Sequence, residues 1–131
     1  MKVFDLNGRE YHWQLTGHRP TRRKHSKLHL KAREILETLY PNIIQLEEVP
    51  IKIYGSRTLY LDFYLPMYKK AIEVHGIQHF EFNPKFHATA FDFKRQQLND
   101  MLKEEWCERN KIDLLMLPFD RIKEWKQIIV S

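Results

Sequence analysis

"YLDFYLPMYKKAIEVHGIQH", residues 60–79, holds two apolar segments joined by a short turn around Pro66, with Asp62 in the first and Glu73 in the second. Successive side chains of a strand point to opposite faces of its sheet. Alternation therefore predicts Leu59, Leu61, Phe63 and Leu65 on one face and Tyr60, Asp62 and Tyr64 on the other. In the second segment, Ile72 and Val74 oppose Ala71, Glu73 and His75. If Leu65 pairs with Lys70 across the turn, antiparallel register sets Asp62 directly against Glu73. Directly opposed Cβ atoms lie about 4.5–5.5 Å apart. Two carboxylates about 4 Å apart repel by roughly 4 kcal/mol at an effective dielectric of about 20. A shared proton relieves that repulsion. So does a hard divalent cation between the oxygens, which also brings hydrolytic chemistry. The bland alternative leaves both acids in solvent, each paired with Lys69 or Lys70.

Outward from this hairpin, "IIQLEEVPIKI" (43–53) reads as a preceding strand, with turn chemistry at Gly55-Ser56, so a three-stranded meander is expected. Before it, Leu28, Ala32, Ile35, Leu36 and Leu39 recur at helical spacing, Ser26 can cap the start, and Pro41 ends the helix. At the N-terminus "VFDL-NG-REYHW" predicts a hairpin over residues 1–17 with a two-residue Asn-Gly centre. After the meander, "GIQHFEFNPKFHATA" is a His- and Phe-rich loop. Thr89 and Asp92 form a candidate capping box for a helix from about Phe91 to Arg109, with Leu98, Met101, Leu102 and Trp106 inward and Asn110 as its stop. "IDLLML" is a short apolar strand, and Asp120 can cap a last helix in which Ile122, Trp125 and Ile129 share a side. The expected fold is a single α/β domain: hairpin, helix, three strands, helix, strand, helix, with a core over 26–118 and a terminal helix in 119–131.

The length of 131 residues suits one core. No apolar run approaches the ~20 residues that cross a bilayer, and "MKVFDLNGRE" lacks the apolar centre of a secretory signal, so a cytoplasmic chain that meets no membrane is expected. Cys107 is the sole cysteine, which excludes an intrachain disulfide and a Cys-rich zinc cluster and predicts a buried, inert thiol. The net charge of +5 is concentrated between His18 and Lys31, where Arg19, Arg22, Arg23, Lys24, Lys27 and Lys31 occur without an acid. Such a field suits the phosphates of DNA, although a solvated lead-in to the helix has the same composition.

Asp62, a turn, then Glu73-Val74-His75, set in this element order, resembles the bipartite signature of the PD-(D/E)XK nuclease superfamily. The acid-x-x-Gly-x-Gln-His pattern of "EVHGIQH" (73–79) is more specifically similar to small phage and bacterial endonuclease-like proteins related to very-short-patch repair endonucleases. The likeness runs from Ser26 to about Pro118. It implies a restriction-endonuclease-like core and hydrolysis of DNA phosphodiesters, by nicking, repair-type or branched-DNA cleavage. It also implies Mg²⁺ or Mn²⁺ held by Asp62, Glu73 and the Val74 carbonyl, with His75, Gln78 or Lys103 positioning the attacking water. If phage-encoded, the chain would work in the host cytoplasm, and a homodimer could supply specificity.

The chain departs from the superfamily at His75, where lysine is usual. "NDMLKEEWC" (99–107) resembles the corresponding stretch of the phage proteins, making Lys103 a candidate for a migrated lysine and Asp100 for a supporting acid. The superfamily's first helix often adds an acid to the metal. Glu34 and Glu37 are available there, and His29 is a candidate phosphate contact. His79 and His87, among Phe80, Phe82 and Phe86, are candidates for a general base and a wall for the scissile strand, and no spacing demands a two-His zinc site. Two other readings stay open: a catalytically weak or inactive nucleic-acid-binding protein on a nuclease fold, and an RNA-directed nuclease with the same site.

Overall fold

In a computed structural model, residues 1–15 and 25–131 are described. Alternating apolar runs form strands and 3.6-periodic ones form helices, in the order β1 (Lys2–Phe4), β2 (Glu10–His12), α1 (Lys27–Leu39), β3 (Leu46–Tyr54), β4 (Arg57–Leu65), β5 (Lys70–His75), α2 (Ala90–Arg109), β6 (Asp113–Pro118) and α3 (Trp125–Val130). Short 3₁₀ turns occupy Ile77–His79 and Ile122–Glu124. This is the mixed α/β order expected. The main sheet runs β3-β4-β5-β6. Its first three strands are antiparallel, and β6 returns parallel to β5 after the α2 crossover. No helix among the described residues is long and apolar enough to cross a membrane.

Helix layers cover both sheet faces. On one side Leu102, Trp106 and Cys107 of α2 pack on Val49, Ile51, Ile53, Leu61, Tyr64 and Ala71, joined by Val3 and Trp13 of the hairpin. On the other, Ala32, Ile35 and Leu36 of α1 and Trp125 and Ile129 of α3 pack on Phe63, Leu65, Ile72 and Leu117. Each of the buried Val, Leu, Ile and Phe side chains contributes about 1.5–3 kcal/mol by leaving water. Ser26 caps α1 by accepting the His29 N–H, and the Thr89–Asp92 capping box starts α2. Asn110, at the end of α2, pins the hairpin by exchanging hydrogen bonds with the Phe4 N–H (2.7 Å) and C=O (2.9 Å).

Four local expectations are corrected. Leu61 lies under α2 whereas Phe63 and Leu65 lie under α1, so these leucines and Phe63 do not share a face, and Tyr64 sides with Leu61. The switch falls at Asp62 because Glu48, opposite it, takes a left-handed φ of 51°, and regular pairing is interrupted between Glu47↔Phe63 and Val49↔Leu61. Leu98 and Met101 are exposed, at 49% and 56%, because α2 turns its polar Asp100–Lys103 stripe toward the sheet instead. The N-terminal turn spans Leu6-Asn7-Gly8 rather than two residues, closed by Asp5, whose carboxylate accepts the Asn7 and Arg9 N–H groups at 2.9 Å while Gly8 takes φ 82°. Asp120 caps nothing: α3 begins after Glu124 with no side-chain cap.

Candidate active site

The turn between β4 and β5 fixes their register at Leu65↔Lys70, Tyr64↔Ala71 and Phe63↔Ile72, and there regular pairing stops. The next partners in that register are Asp62 and Glu73. Their side chains take over the hydrogen bonds of the missing rungs. The Asp62 N–H donates to Glu73 Oε2 at 2.7 Å, and the Val74 N–H donates to Asp62 Oδ2 at 2.8 Å. The two acids thus lie in the seam between diverging strands, Glu73 fully buried and Asp62 partly so. Burial and, next, the charge of Glu73 push the Asp62 carboxyl well above its ordinary range.

The cation beside them comes from α2. Lys103 Nζ donates to Glu73 Oε1 at 2.5 Å. Burial lowers the Lys103 pKa, but the Glu73 charge and hydrogen bond, with Asp62 and Asp100, outweigh it and leave that pKa raised. The bland pairing with lysines of the turn does not occur: Lys70 Nζ donates to the Ile129 carbonyl at 2.9 Å, and the ammonium on Glu73 is that of Lys103.

His75 ends β5 and His79 follows one 3₁₀ turn later, and their rings stack with centroids 4.0 Å apart and planes 5° apart. Burial, then the neighbouring His79, lowers the His75 pKa to about 4, so it is a neutral imidazole near pH 7. His79 Nδ1 lies 2.9 Å from Asp100 Oδ2, and Gln96 reaches the same nitrogen at 3.4 Å. A carboxylate only accepts, so the contact with Asp100 is made by a protonated Nδ1, and Nε2 lies on the far side of the ring from it. Gln78 folds over Gly76: a Cβ at position 76 would sit 2.5 Å from Gln78 Oε1, although the Gly76 backbone is ordinarily extended.

Six candidates therefore meet: Asp62, Glu73, His75, His79, Asp100 and Lys103. A cleft of about 510 Å³ opens beside Glu73, His75, Asp100 and Lys103 and runs along α2 and β6. Cys107, at its inner wall, is buried, and burial followed by the Glu73 charge raises its thiol pKa to about 12, as an inert thiol requires.

The other candidates fall elsewhere. His87 is buried within its own loop, accepting the Asn83 N–H at Nδ1 between Phe82 and Phe93. Glu34 and Glu37 are exposed, Glu34 facing Lys31 at 3.9 Å, so neither supplies a helix-borne acid to the pair. Lys27 and Lys31 are exposed on α1, while Arg19, Arg22, Arg23 and Lys24 lie outside the described residues. His29 is buried rather than a surface contact for phosphate, with Nε2 2.6 Å from Glu47 Oε1.

Glu47 is the residue that sequence reading passed over. It is buried in β3, and Arg33 grips both its oxygens, Nε to Oε2 at 2.9 Å and Nη2 to Oε1 at 2.8 Å. The signal was present: His29 and Arg33 lie one helical turn apart on α1, and an acid inside an apolar strand needs such partners.

No protein-family model and no solved structure matches the chain. Two viral proteins are similar to part of it. Uncharacterized protein 307L of Invertebrate iridescent virus 6 is 37% identical over 65 residues, which is 50% of this chain and 33% of the viral protein. Uncharacterized protein 033L of Invertebrate iridescent virus 3 is 33% identical over 64 residues, 49% of this chain and 33% of that protein. Each likeness thus spans about half of this chain and a third of its viral relative.

Proposed function

We propose that the chain is a divalent-metal-dependent endonuclease that hydrolyses DNA phosphodiester bonds on a restriction-endonuclease-like core. One observation carries the reading. Two carboxylates from adjacent strands are held together where regular β4–β5 pairing stops, with a buried lysine against one and a histidine–aspartate pair close by.

The residues fit a hard cation such as Mg²⁺ or Mn²⁺. Asp62 and Glu73 present oxygen ligands; burial and, next, the Glu73 charge lift the Asp62 carboxyl, and a dication in place of the proton offsets both. The Val74 N–H faces Asp62, and in an extended strand the carbonyl of a residue leaves on the same side as its N–H. Asp62, Glu73 and the Val74 carbonyl would hold the ion, which supplies Lewis acidity and a more acidic bound water. Lys103 places positive charge beside Glu73, where a phosphate's developing negative charge is stabilised. His79, oriented through Nδ1 by Asp100, offers Nε2 to take a water proton, and the neutral ring of His75 fixes its plane by stacking.

Supercoiled plasmid incubated with Mg²⁺ or Mn²⁺ should be nicked or linearised. The activity should vanish with EDTA and in Asp62→Asn. An untouched plasmid, together with intact single-stranded, nicked and four-way DNA under every divalent ion tried, rejects the proposal. A second reading, a binding protein without catalysis, draws on Lys103: its ammonium already occupies Glu73 Oε1 and balances the pair without an ion. That reading expects DNA retention on a gel with no cleavage.

A further inference from the structure

We propose that His75, His79 and Asp100 form a second metal site, one for a borderline transition-metal dication of the zinc class, separate from the carboxylate pair of Asp62 and Glu73. Three elements bring the ligands together: the end of β5, the 3₁₀ turn after it, and α2. One ligand atom from each residue lies within 4.8 Å of the others. Asp100 is half committed. Its Oδ2 is on His79, while Oδ1 is buried without a hydrogen-bond partner. An unsatisfied carboxylate oxygen in such a place costs free energy that an ion recovers.

The donor set chooses the ion. Two imidazoles and one carboxylate suit Zn²⁺ and its neighbours, whereas Mg²⁺ prefers oxygen ligands alone. The carboxylates of Asp62 and Glu73 have the opposite preference, so the two sites would select different metals. Zinc–ligand distances of about 2.0–2.1 Å require donors roughly 3.4 Å apart. The His79–Asp100 contact of 2.9 Å therefore widens slightly as the ion replaces the Nδ1 proton, which moves to Nε2, so with this site filled His79 is a ligand and no longer a base for the attacking water. The stacked rings open from parallel so that His75 can turn a nitrogen toward the same point. Lys103, whose charge bears on His75, is held by Glu73. The other histidine–carboxylate group, His25, His29 and Glu47, is less suited, since Arg33 occupies both Glu47 oxygens.

Cobalt(II), a spectroscopic stand-in for zinc, tests the site whether or not the chain cleaves DNA. Titrated into the full metal-free chain in excess Mg²⁺, one Co²⁺ per chain should bind, develop visible ligand-field bands and yield to Zn²⁺. Binding should persist in Asp62→Asn, disappear in His79→Ala, and weaken about tenfold or more in Asp100→Asn. Absence of the bands, their loss with Mg²⁺ or in Asp62→Asn, or their persistence in His79→Ala overturns the proposal. Circular dichroism checks that each variant folds. If His79→Ala does not, paramagnetic broadening of the imidazole resonances of the unaltered chain decides: broadening of His75 and His79 supports the site, and broadening confined to His25 and His29 rejects it.

Discussion

Glu73 accepts two hydrogen bonds, from the Asp62 N–H and the Lys103 ammonium, whereas Asp62 accepts one and carries a carboxyl whose charged form is opposed by burial and by Glu73. The two acids should therefore respond differently to substitution. Glu73→Ala strands a buried ammonium and a backbone N–H, a change that costs about 3–5 kcal/mol when one partner of a buried pair is removed. Asp62→Asn keeps an oxygen for the Val74 N–H and removes the repulsion, so its stability should equal or exceed that of the parent. Denaturant unfolding of the two variants measures the contrast. The same argument makes Glu73→Gln with Lys103→Met more stable than Glu73→Ala. Equal losses in Asp62→Asn and Glu73→Ala would mean that the coupling between the acids is not the dominant force at the seam.

On the opposite face of the sheet, α1 is fastened to β3 by Glu47, and here pH is the informative variable. Burial raises the Glu47 pKa, but hydrogen bonds from His29 and Arg33 and the charge of Arg33 outweigh it and leave the pKa below its ordinary 4.5. A folded pKa below the unfolded one means stability fully present above pH 4.5 and lost as the pH falls through the folded value. Thermal melts from neutrality down through that range should show Glu47→Gln starting lower than the parent yet losing less. Parallel losses would show that the α1–β3 contact does not depend on this charge. The contact also marks where sequence stopped being readable. Ser26, the Thr89–Asp92 box and the turn before Lys70 act over a few residues, so the starts of α1 and α2 and the Leu65↔Lys70 register were legible. The inward face of α2 was legible in part: Leu102 and Trp106 are buried as their spacing implied, but the same spacing pointed to Leu98 and Met101 while tertiary pairing with Glu73 and His79 drew Lys103 and Asp100 inward. Nor could alternation show that the left-handed residue Glu48 reverses the faces of two strands, placing Leu61 and Phe63 in different cores.

The two cores meet the site unequally. The one beneath α2 includes the N-terminal hairpin, three strands and Cys107, so the wall behind Glu73 and Lys103 is secured by residues from both ends of the chain. Val3 and Trp13 pack there, and the Trp13 indole N–H donates to the Pro50 carbonyl at 2.8 Å, tying the hairpin to β3. With α2 pinned at Asn110 and the hairpin docked against it, Cys107 should become accessible only when this whole assembly opens. Its thiol is 1% exposed with a pKa raised to about 12, so neither access nor ionisation favours attack by a disulfide reagent near neutral pH. Modification should proceed through unfolding, and its rate should rise with denaturant along the slope of global unfolding rather than the shallower slope of a local opening. Rapid labelling of the native chain, insensitive to denaturant, would show that α2 frays from the sheet independently. Lys103 would then lack the fixed placement on Glu73 that the proposed chemistry requires.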